Sequence, residues 1–90
     1  MFHRLHIVVT GRVQGVGFRY FTQSRARAFG LSGYVWNRND GAVEVEAEGA
    51  KGALESFLSE VERGPGGAAV EEARATWSEG PARHERFRIR

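Results

Sequence analysis

Residues 11–21 read Gly11-Arg12-Val13-Gln14-Gly15-Val16-Gly17-Phe18-Arg19-Tyr20-Phe21, a stretch that leaves an apolar strand through glycines and enters a helix. Gly15 and Gly17 allow positive φ angles, so successive backbone N–H groups can turn inward and form a concave anion site. The helix adds its unpaired N-terminal amides to that site. Arg19 falls in the first helical turn, where a cation opposes the helix dipole, and a bidentate contact with a phosphate would explain its presence there.

A second interpretation of the same stretch is a plain strand-to-helix turn. In that case Gly15 and Gly17 serve only the chain reversal, and Arg19 is a solvated surface side chain. The stretch is not a dinucleotide-binding fingerprint, because Tyr20 stands where that motif needs glycine, and no Gly-Lys-Ser/Thr follows as a Walker loop requires. The residues alone leave the anion site and the plain turn both open.

The composition indicates the class of protein. Its 90 residues, 41% of them hydrophobic, predict one compact domain over residues 1–90. Cysteine is absent, and the three histidines lack metal-ligand spacing, so we expect no disulfide and no metal site and interpret His3, His6 and His84 as surface imidazoles. A net charge of +2 does not require a nucleic-acid partner. No apolar run is long enough for a signal peptide or a membrane span, which predicts a cytoplasmic protein.

Hydrophobic periodicity predicts five strands and two helices. The predicted strands cover residues 5–10, 32–38, 43–48, 70–77 and 86–90, and the predicted helices cover 18–29 and 51–62. Alternation in the third strand places Glu44, Glu46 and Glu48 on the solvent side. Alternation in the fourth places Ala73, Ala75 and Trp77 on one face. Arg25 interrupts the apolar face of the first helix, and we explain it by its aliphatic stem packing while the charged head reaches solvent.

The order of these elements predicts a ferredoxin-like βαββαβ sandwich of the α+β class. Its antiparallel sheet carries both helices on one face, and the fifth strand is short. Strands one and two run parallel with strand three between them, so the loops that follow them lie near one end of the sheet. Arg19 and Asn37 can then meet.

Two motifs together resemble a known family. Residues 11–19 resemble the signature loop of the acylphosphatases, small enzymes that hydrolyse carboxyl-phosphate mixed anhydrides. Residues 33–41, Gly33-Tyr34-Val35-Trp36-Asn37-Arg38-Asn39-Asp40-Gly41, resemble that family's Gly-x-Val-x-Asn-x-x-Asp-Gly segment. The resemblance extends to the last residues of the chain and implies the same ferredoxin-like fold.

The resemblance also implies roles for individual residues. Arg19 would bind the phosphoryl group, and Asn37 would orient the attacking water. Backbone amides would hold the phosphoryl oxygens at Gln14, Gly15, Val16, Gly17 and Phe18. No metal or cofactor is required, the substrate is a small acyl phosphate, and inorganic phosphate is both product and competitor. We expect a monomer with no nucleic-acid or membrane partner.

Other functions remain open at this point. An RNA-binding module has the same element order and would use Tyr34 and Trp36, which share a strand face, for stacking. The glutamates of strand three would repel RNA. A phosphate-sensing domain would bind an acyl phosphate without turning it over. Asn37 could equally be a strand-end residue whose side chain bonds the nearby backbone.

Overall fold

The chain forms its elements in the order β1-α1-β2-β3-α2-β4-β5 in a computed structural model that describes residues 2–90. The strands are β1 (Phe2–Arg12), β2 (Ser32–Asn37), β3 (Val43–Gly49), β4 (Ala69–Gly80) and β5 (Phe87–Ile89), and the helices are α1 (Phe18–Ala28) and α2 (Lys51–Arg63). Every predicted element is present. Strands β1 and β4 are longer than the hydrophobic pattern predicted because they pair with each other from Phe2 opposite Gly80 to Arg12 opposite Ala69.

The strands lie in the order β4-β1-β3-β2-β5. Strand β3 pairs antiparallel with both β1 and β2, so β1 and β2 run parallel and end at the same edge of the sheet. The ferredoxin-like prediction is confirmed. Strand β5 pairs parallel with β2, which makes the sheet mixed rather than purely antiparallel. The periodicity of a three-residue strand carries no information about its neighbour.

The core lies between one face of the sheet and the two helices. Fully buried side chains from alternate positions of β1 and β3 form its floor: Leu5, Ile7, Val9, Val43, Val45 and Ala47. The helices cover this floor with Phe18, Ala26, Leu54, Phe57 and Val61. The Phe57 ring meets Phe87 edge-on at 6.2 Å between centroids, which ties α2 to β5. Neither helix of the described chain is long and apolar enough to cross a membrane.

Glu48 corrects the expectation that all three glutamates of β3 face solvent. Its residue is only 1% exposed, and its carboxylate lies 3.1 Å from the Arg4 guanidinium. The backbone N–H groups of Arg83 and His84 donate to the same carboxylate at 2.8 and 2.7 Å. The sheet face opposite the helices is its open face. Residues 81–86 cover this part of the open face, and strand alternation cannot predict such a long-range contact.

The three histidines are half-buried, and each lies beside a glutamate. The pairs are His3–Glu79 at 3.5 Å, His6–Glu44 at 2.5 Å and His84–Glu46 at 2.6 Å. Within residues 2–90, no group of three or more His, Asp or Glu side chains could hold a metal ion. These imidazoles therefore belong to polar pairs, two of them on the open face of the sheet.

Arg25 lies between the two helices. Its guanidinium carbon is 5.9 Å from the centroid of the Phe21 ring, and its Nη1 is 3.9 Å from the Glu60 carboxylate of α2. The side chain is 42% exposed. The guanidinium itself therefore packs beside the Phe21 ring, and its Nε is buried without a hydrogen-bond partner among residues 2–90. The explanation from the sequence, a packed stem with a solvated head, agrees with the structure only in that the side chain is partly exposed.

Candidate active site

The glycine loop has the backbone geometry that the sequence predicts. Gly15 and Gly17 have φ angles of 75° and 79°, in the left-handed region that favours glycine. Gly17 is the N-cap of α1, with no side-chain cap and no acidic residue in the first turn. The N-terminal amides of the helix are therefore left for another acceptor. No atom outside the neighbouring residues lies within 4 Å of a Cβ built on either glycine. Glycine is therefore needed at these positions for the backbone conformation and not to avoid a side-chain clash.

Two larger side chains fix the loop from outside. Val13 and Phe18 are each 1% exposed and anchor its two ends in the core. Val16 packs against the loop that follows α2, where its side chain lies 3.7 Å from a Cβ built on Gly67. Because the apolar side chains are held by the core, the backbone between them has few ways to move.

Arg19 and Asn37 lie on the walls of one pocket. Its volume is about 190 Å³, and its lining consists of Val13, Gly15, Gly17, Phe18, Arg19, Tyr20 and Asn37. Arg19 comes from the first turn of α1 and Asn37 from the last position of β2. The two motifs meet because β1 and β2 end at the same edge of the sheet. Of the residues predicted for the site, Gln14 and Val16 do not line this pocket.

Arg19 carries the only full charge among the pocket's lining residues. Its side chain has no carboxylate partner within the described part of the chain. A wider groove of about 480 Å³ lies elsewhere, but Glu55 and Glu79 line it and would repel an anion. Between these two cavities, the electrostatics favour an anion in the smaller one.

Asn37 has an unpartnered atom. Its Oδ1 is buried and accepts no hydrogen bond from any group between residues 2 and 90. A buried carbonyl oxygen left without a donor costs about 1–3 kcal/mol. The alternative in which this side chain bonds the backbone of the hairpin is not supported, since Oδ1 makes no such bond. A water or a ligand O–H is the donor that this position suits.

The turn beside Asn37 is closed by several hydrogen bonds. The Arg38 N–H donates to the Ala42 carbonyl at 2.8 Å, and the Ala42 N–H donates to the Asp40 carboxylate at 3.1 Å. That N–H is the main reason why the pKa of Asp40 lies below its ordinary value. The Arg38 guanidinium adds a contact at 2.8 Å. Asn37 therefore sits at the base of an ordered hairpin.

Gln14 joins the glycine loop to this hairpin. Its Nε2 donates to the carbonyl oxygens of Arg38 and Ala42 at 2.8 and 3.0 Å. The sequence predicts a binding role for Gln14 through its backbone amide and leaves open a loop-shaping role for its side chain, and the two side-chain bonds are of that second kind. The local sequence around Gln14 does not identify the partners of such a contact, because they are 24 and 28 residues away. Tyr20, 74% exposed at the pocket rim, was also not predicted.

Comparison with known proteins identifies the family. The βαββαβ order, the glycine loop and the adjoining arginine define a ferredoxin-like α+β domain with a candidate anion site. The acylphosphatase family model matches residues 5–89, and the chain belongs to that family. Acyl phosphate hydrolysis is the activity of the family, and the protein is an enzyme that acts on small acyl phosphates.

Individual relatives are similar along nearly the whole chain. An acylphosphatase from Salinibacter ruber is 48% identical over 87 residues, covering 97% of this chain and 92% of its own. One from Thermus thermophilus is 54% identical over 76 residues, covering 84% and 86% of the two chains. The crystal structure of acylphosphatase from Bacillus subtilis superimposes with a TM-score of 0.93 at 46% identity and covers 97% of each chain.

Proposed function

We propose that the loop amides of residues 14–18 and the Arg19 guanidinium hold the phosphoryl group of an acyl phosphate while Asn37 orients the attacking water. The observation that carries this proposal is that Asn37, whose buried Oδ1 has no hydrogen-bond donor among the described residues, lines the same pocket as Arg19. The loop and Arg19 supply positive potential, and Asn37 supplies a neutral acceptor. Binding and water placement are thus assigned to different groups.

Hydrolysis of an acyl phosphate needs few groups besides the loop amides, Arg19 and Asn37. An acyl phosphate is a mixed anhydride with a good carboxylate leaving group, so charge stabilisation and alignment of the water dominate the catalysis. The water donates one O–H to Asn37 Oδ1 and directs a lone pair at phosphorus, opposite the acyl oxygen. A P–O bond forms to the water as the P–O bond to the acyl oxygen breaks. The carboxylate leaves with the electron pair, and the water's second proton ends on the phosphate or in solvent.

The electrostatics of the pocket suit the transition state. The guanidinium can form two parallel hydrogen bonds to phosphoryl oxygens. The N-terminus of α1 contributes its dipole, and Arg25 and Arg27 near the other end of the helix oppose the negative pole there. The loop backbone and the helix N-terminus are fixed by the fold before the substrate arrives, so their amides cost little reorganisation.

The proposal also covers the domain organisation, the oligomeric state, the location and the metal independence that the sequence predicts. Residues 1–90 act as one domain, as a monomer in the cytoplasm, without metal or cofactor, and inorganic phosphate competes with the substrate. Amide and guanidinium donors recognise the phosphoryl group by themselves, which supports the metal-free reaction.

Hydrolysis of acetyl phosphate in the presence of excess chelator tests this function. We expect full turnover, competitive inhibition by inorganic phosphate, and weak or no action on an aryl phosphate or a nucleotide. Complete loss of turnover on chelation would contradict the metal-free mechanism. Binding of phosphate without any turnover would favour the sensing role instead.

A further inference from the structure

Positive charge is concentrated at one edge of the sheet. Residues 83–90 read Arg83-His84-Glu85-Arg86-Phe87-Arg88-Ile89-Arg90, with four arginines and one glutamate. Their side chains carry +3, four positive charges less one negative, whereas the whole chain carries +2. The rest of the chain is therefore slightly negative. The excess is local and lies on β5 and the segment before it.

The four arginines of this stretch are exposed and have no acidic partner. Arg83, Arg86, Arg88 and Arg90 have no carboxylate within 4.0 Å in the described part of the chain. Arginines on other elements do pair, for example Arg63 with Glu60 at 2.8 Å and Arg74 with Glu72 at 3.4 Å. The concentration of unpaired guanidiniums distinguishes this edge from the remaining surface.

All four arginines line one concavity. This arginine cleft, of about 440 Å³, is completed by Gly33, Tyr34, His84 and Glu85. A Cβ built on Gly33 would lie 1.9 Å from the Glu46 carbonyl oxygen. Any residue other than glycine would therefore clash with the backbone at this position of the lining. Glu85 is the single side-chain carboxylate among the lining residues. The charge of the cleft is therefore strongly positive.

A buried ion pair fixes one wall of the arginine cleft. Glu48 accepts the N–H groups of Arg83 and His84, and Arg4, its ion-pair partner, donates to the Pro81 carbonyl at 2.8 Å. Burying two charges carries a desolvation cost that only good geometry offsets. Here both charges hold the backbone of the segment that presents Arg83. The wall is thus preorganised, which lowers the entropic cost of binding a ligand.

Two neighbouring side chains pack against the ring of Tyr34. The Arg90 guanidinium carbon lies 4.2 Å from the Tyr34 ring centroid, and the His84 ring meets Tyr34 edge-on at 5.8 Å. Burial, together with the charges of Glu46 and Glu44, raises the pKa of Tyr34, so its hydroxyl stays neutral and can donate a hydrogen bond. A ring face covered by Arg90 is a poor platform for stacking a nucleic-acid base.

We propose that the arginine cleft is a second anion site, which binds a molecule carrying two or more linked phosphoryl groups. Guanidinium forks match phosphate oxygens, and the side-chain charge of +3 on residues 83–90 exceeds the charge of about −2 that one phosphoryl group carries. The cleft is separate from the catalytic pocket. Tyr34 and Asn37 are three positions apart on β2, about 10 Å, and point to opposite faces of the sheet. An inorganic oligophosphate and the triphosphate of a nucleotide share the chemistry that the cleft recognises.

Titration with tripolyphosphate, followed by calorimetry and backbone-amide NMR, tests the proposal. We expect one saturable site per chain, with signals of Gly33 and Arg86 shifting more than those of Gly15 and Gly17. The double variant Arg83→Gln/Arg88→Gln should bind about tenfold more weakly or worse, because two charge-assisted contacts are lost. Both side chains are exposed, so melting temperature and acetyl phosphate turnover should stay near wild type.

The matched control is Arg63→Gln/Arg74→Gln, which removes the same charge from α2 and from β4 at the opposite edge of the sheet. It should change the affinity by less than about threefold, since distant exposed charges are screened. The proposal would be overturned if both double variants bound tripolyphosphate equally weakly, or if the wild-type protein showed no saturable binding of tripolyphosphate.

Two further ligands separate the sources of the phosphate. A nucleoside triphosphate should bind about as well as tripolyphosphate, because Arg90 and His84 already pack against the Tyr34 ring. A requirement for the base, or tighter binding of a short single-stranded RNA than of tripolyphosphate, would contradict the assignment.

Discussion

The side-chain amide of Gln14 donates a hydrogen bond to the Ala42 carbonyl at 3.0 Å and so joins the glycine loop to the hairpin that follows Asn37. A second bond from the same nitrogen reaches the Arg38 carbonyl at 2.8 Å. The loop that would hold the phosphoryl group and the strand that would hold the water are thereby fastened to each other. One side chain outside the pocket lining thus contributes to their relative position.

Gln14→Leu should lower kcat about tenfold or more while reducing stability only moderately. Each hydrogen bond of this kind contributes about 0.5–1.5 kcal/mol to stability, but a small displacement of water relative to phosphorus is costly in rate. The matched control is Gln23→Leu, which removes a similar side-chain bond, 3.2 Å to the Phe87 carbonyl, away from the pocket. If both variants lose stability equally and kcat equally, Gln14 is a structural residue only.

Arg19→Lys should lose most of the activity although the charge is kept. Lysine is a point charge and cannot reproduce a planar two-bond contact. Loss of one contact of this kind costs about 2–4 kcal/mol of transition-state stabilisation in a preorganised site. Steady-state kinetics and phosphate inhibition are measured beside Arg27→Lys, an exposed arginine on the same helix. Wild-type kcat/KM in Arg19→Lys would show that Arg19 is only a surface charge.

Gly17→Ala should destabilise the protein and weaken phosphate inhibition. The φ angle of 79° excludes most side chains at a cost of about 1–2 kcal/mol, although space for the methyl group is free. Gly17→Asn should be milder, since asparagine tolerates this region. Gly52→Ala, in α2 with open space and no positive φ, should instead raise stability by about 1 kcal/mol. Equal effects of the two alanine substitutions would refute the conformational explanation.

The buried pair of Arg4 and Glu48 should make stability depend on acid pH. Burial by itself would raise the pKa of Glu48, but the N–H groups of His84 and Arg83 and the Arg4 guanidinium hold it below its ordinary value of 4.5. A depressed folded-state pKa contributes stability above the unfolded-state value, and that contribution is lost as the pH falls through the folded-state value. Unfolding free energies should therefore decrease below about pH 4.5.

Glu48→Gln tests the origin of that dependence. The variant should lose about 3–5 kcal/mol at neutral pH, because the Arg4 charge is left buried and unpaired. It should also show a weaker acid dependence than wild type in urea unfolding. Glu55→Gln, an exposed carboxylate on α2, serves as the control. An unchanged acid dependence in Glu48→Gln would assign the effect to other carboxylates.

Local patterns predicted the elements, the fold class and the meeting of Arg19 with Asn37, because periodicity and parallel strand ends are short-range or topological properties. Side-chain contacts that do not follow from the order of the strands were not predictable. Glu48 follows a perfect alternation and is nevertheless buried by residues 81–86. Trp77 alternates with core positions of β4, yet it is 39% exposed because β4 is an edge strand. The Gln14 bridge likewise depends on a partner far along the chain.

The assignment of Asn37 to the water, rather than to the phosphoryl group, is the central claim of the proposed mechanism. Its amide is a neutral group, suited to holding a water in line but too weak to bind a dianion by itself. Asn39→Ala, two positions further along at an exposed site in the turn, is the matched control and should behave as wild type.

The deciding measurement is kcat and the phosphate inhibition constant of Asn37→Ala, determined on one preparation together with its melting temperature. We expect kcat to fall by about two orders of magnitude or more, because the lost interaction acts mainly in the transition state. Phosphate inhibition should stay within a few fold of wild type, and the stability loss should be about 1 kcal/mol. A collapse of phosphate affinity in parallel with kcat would instead make Asn37 a ligand of the anion and contradict the mechanism.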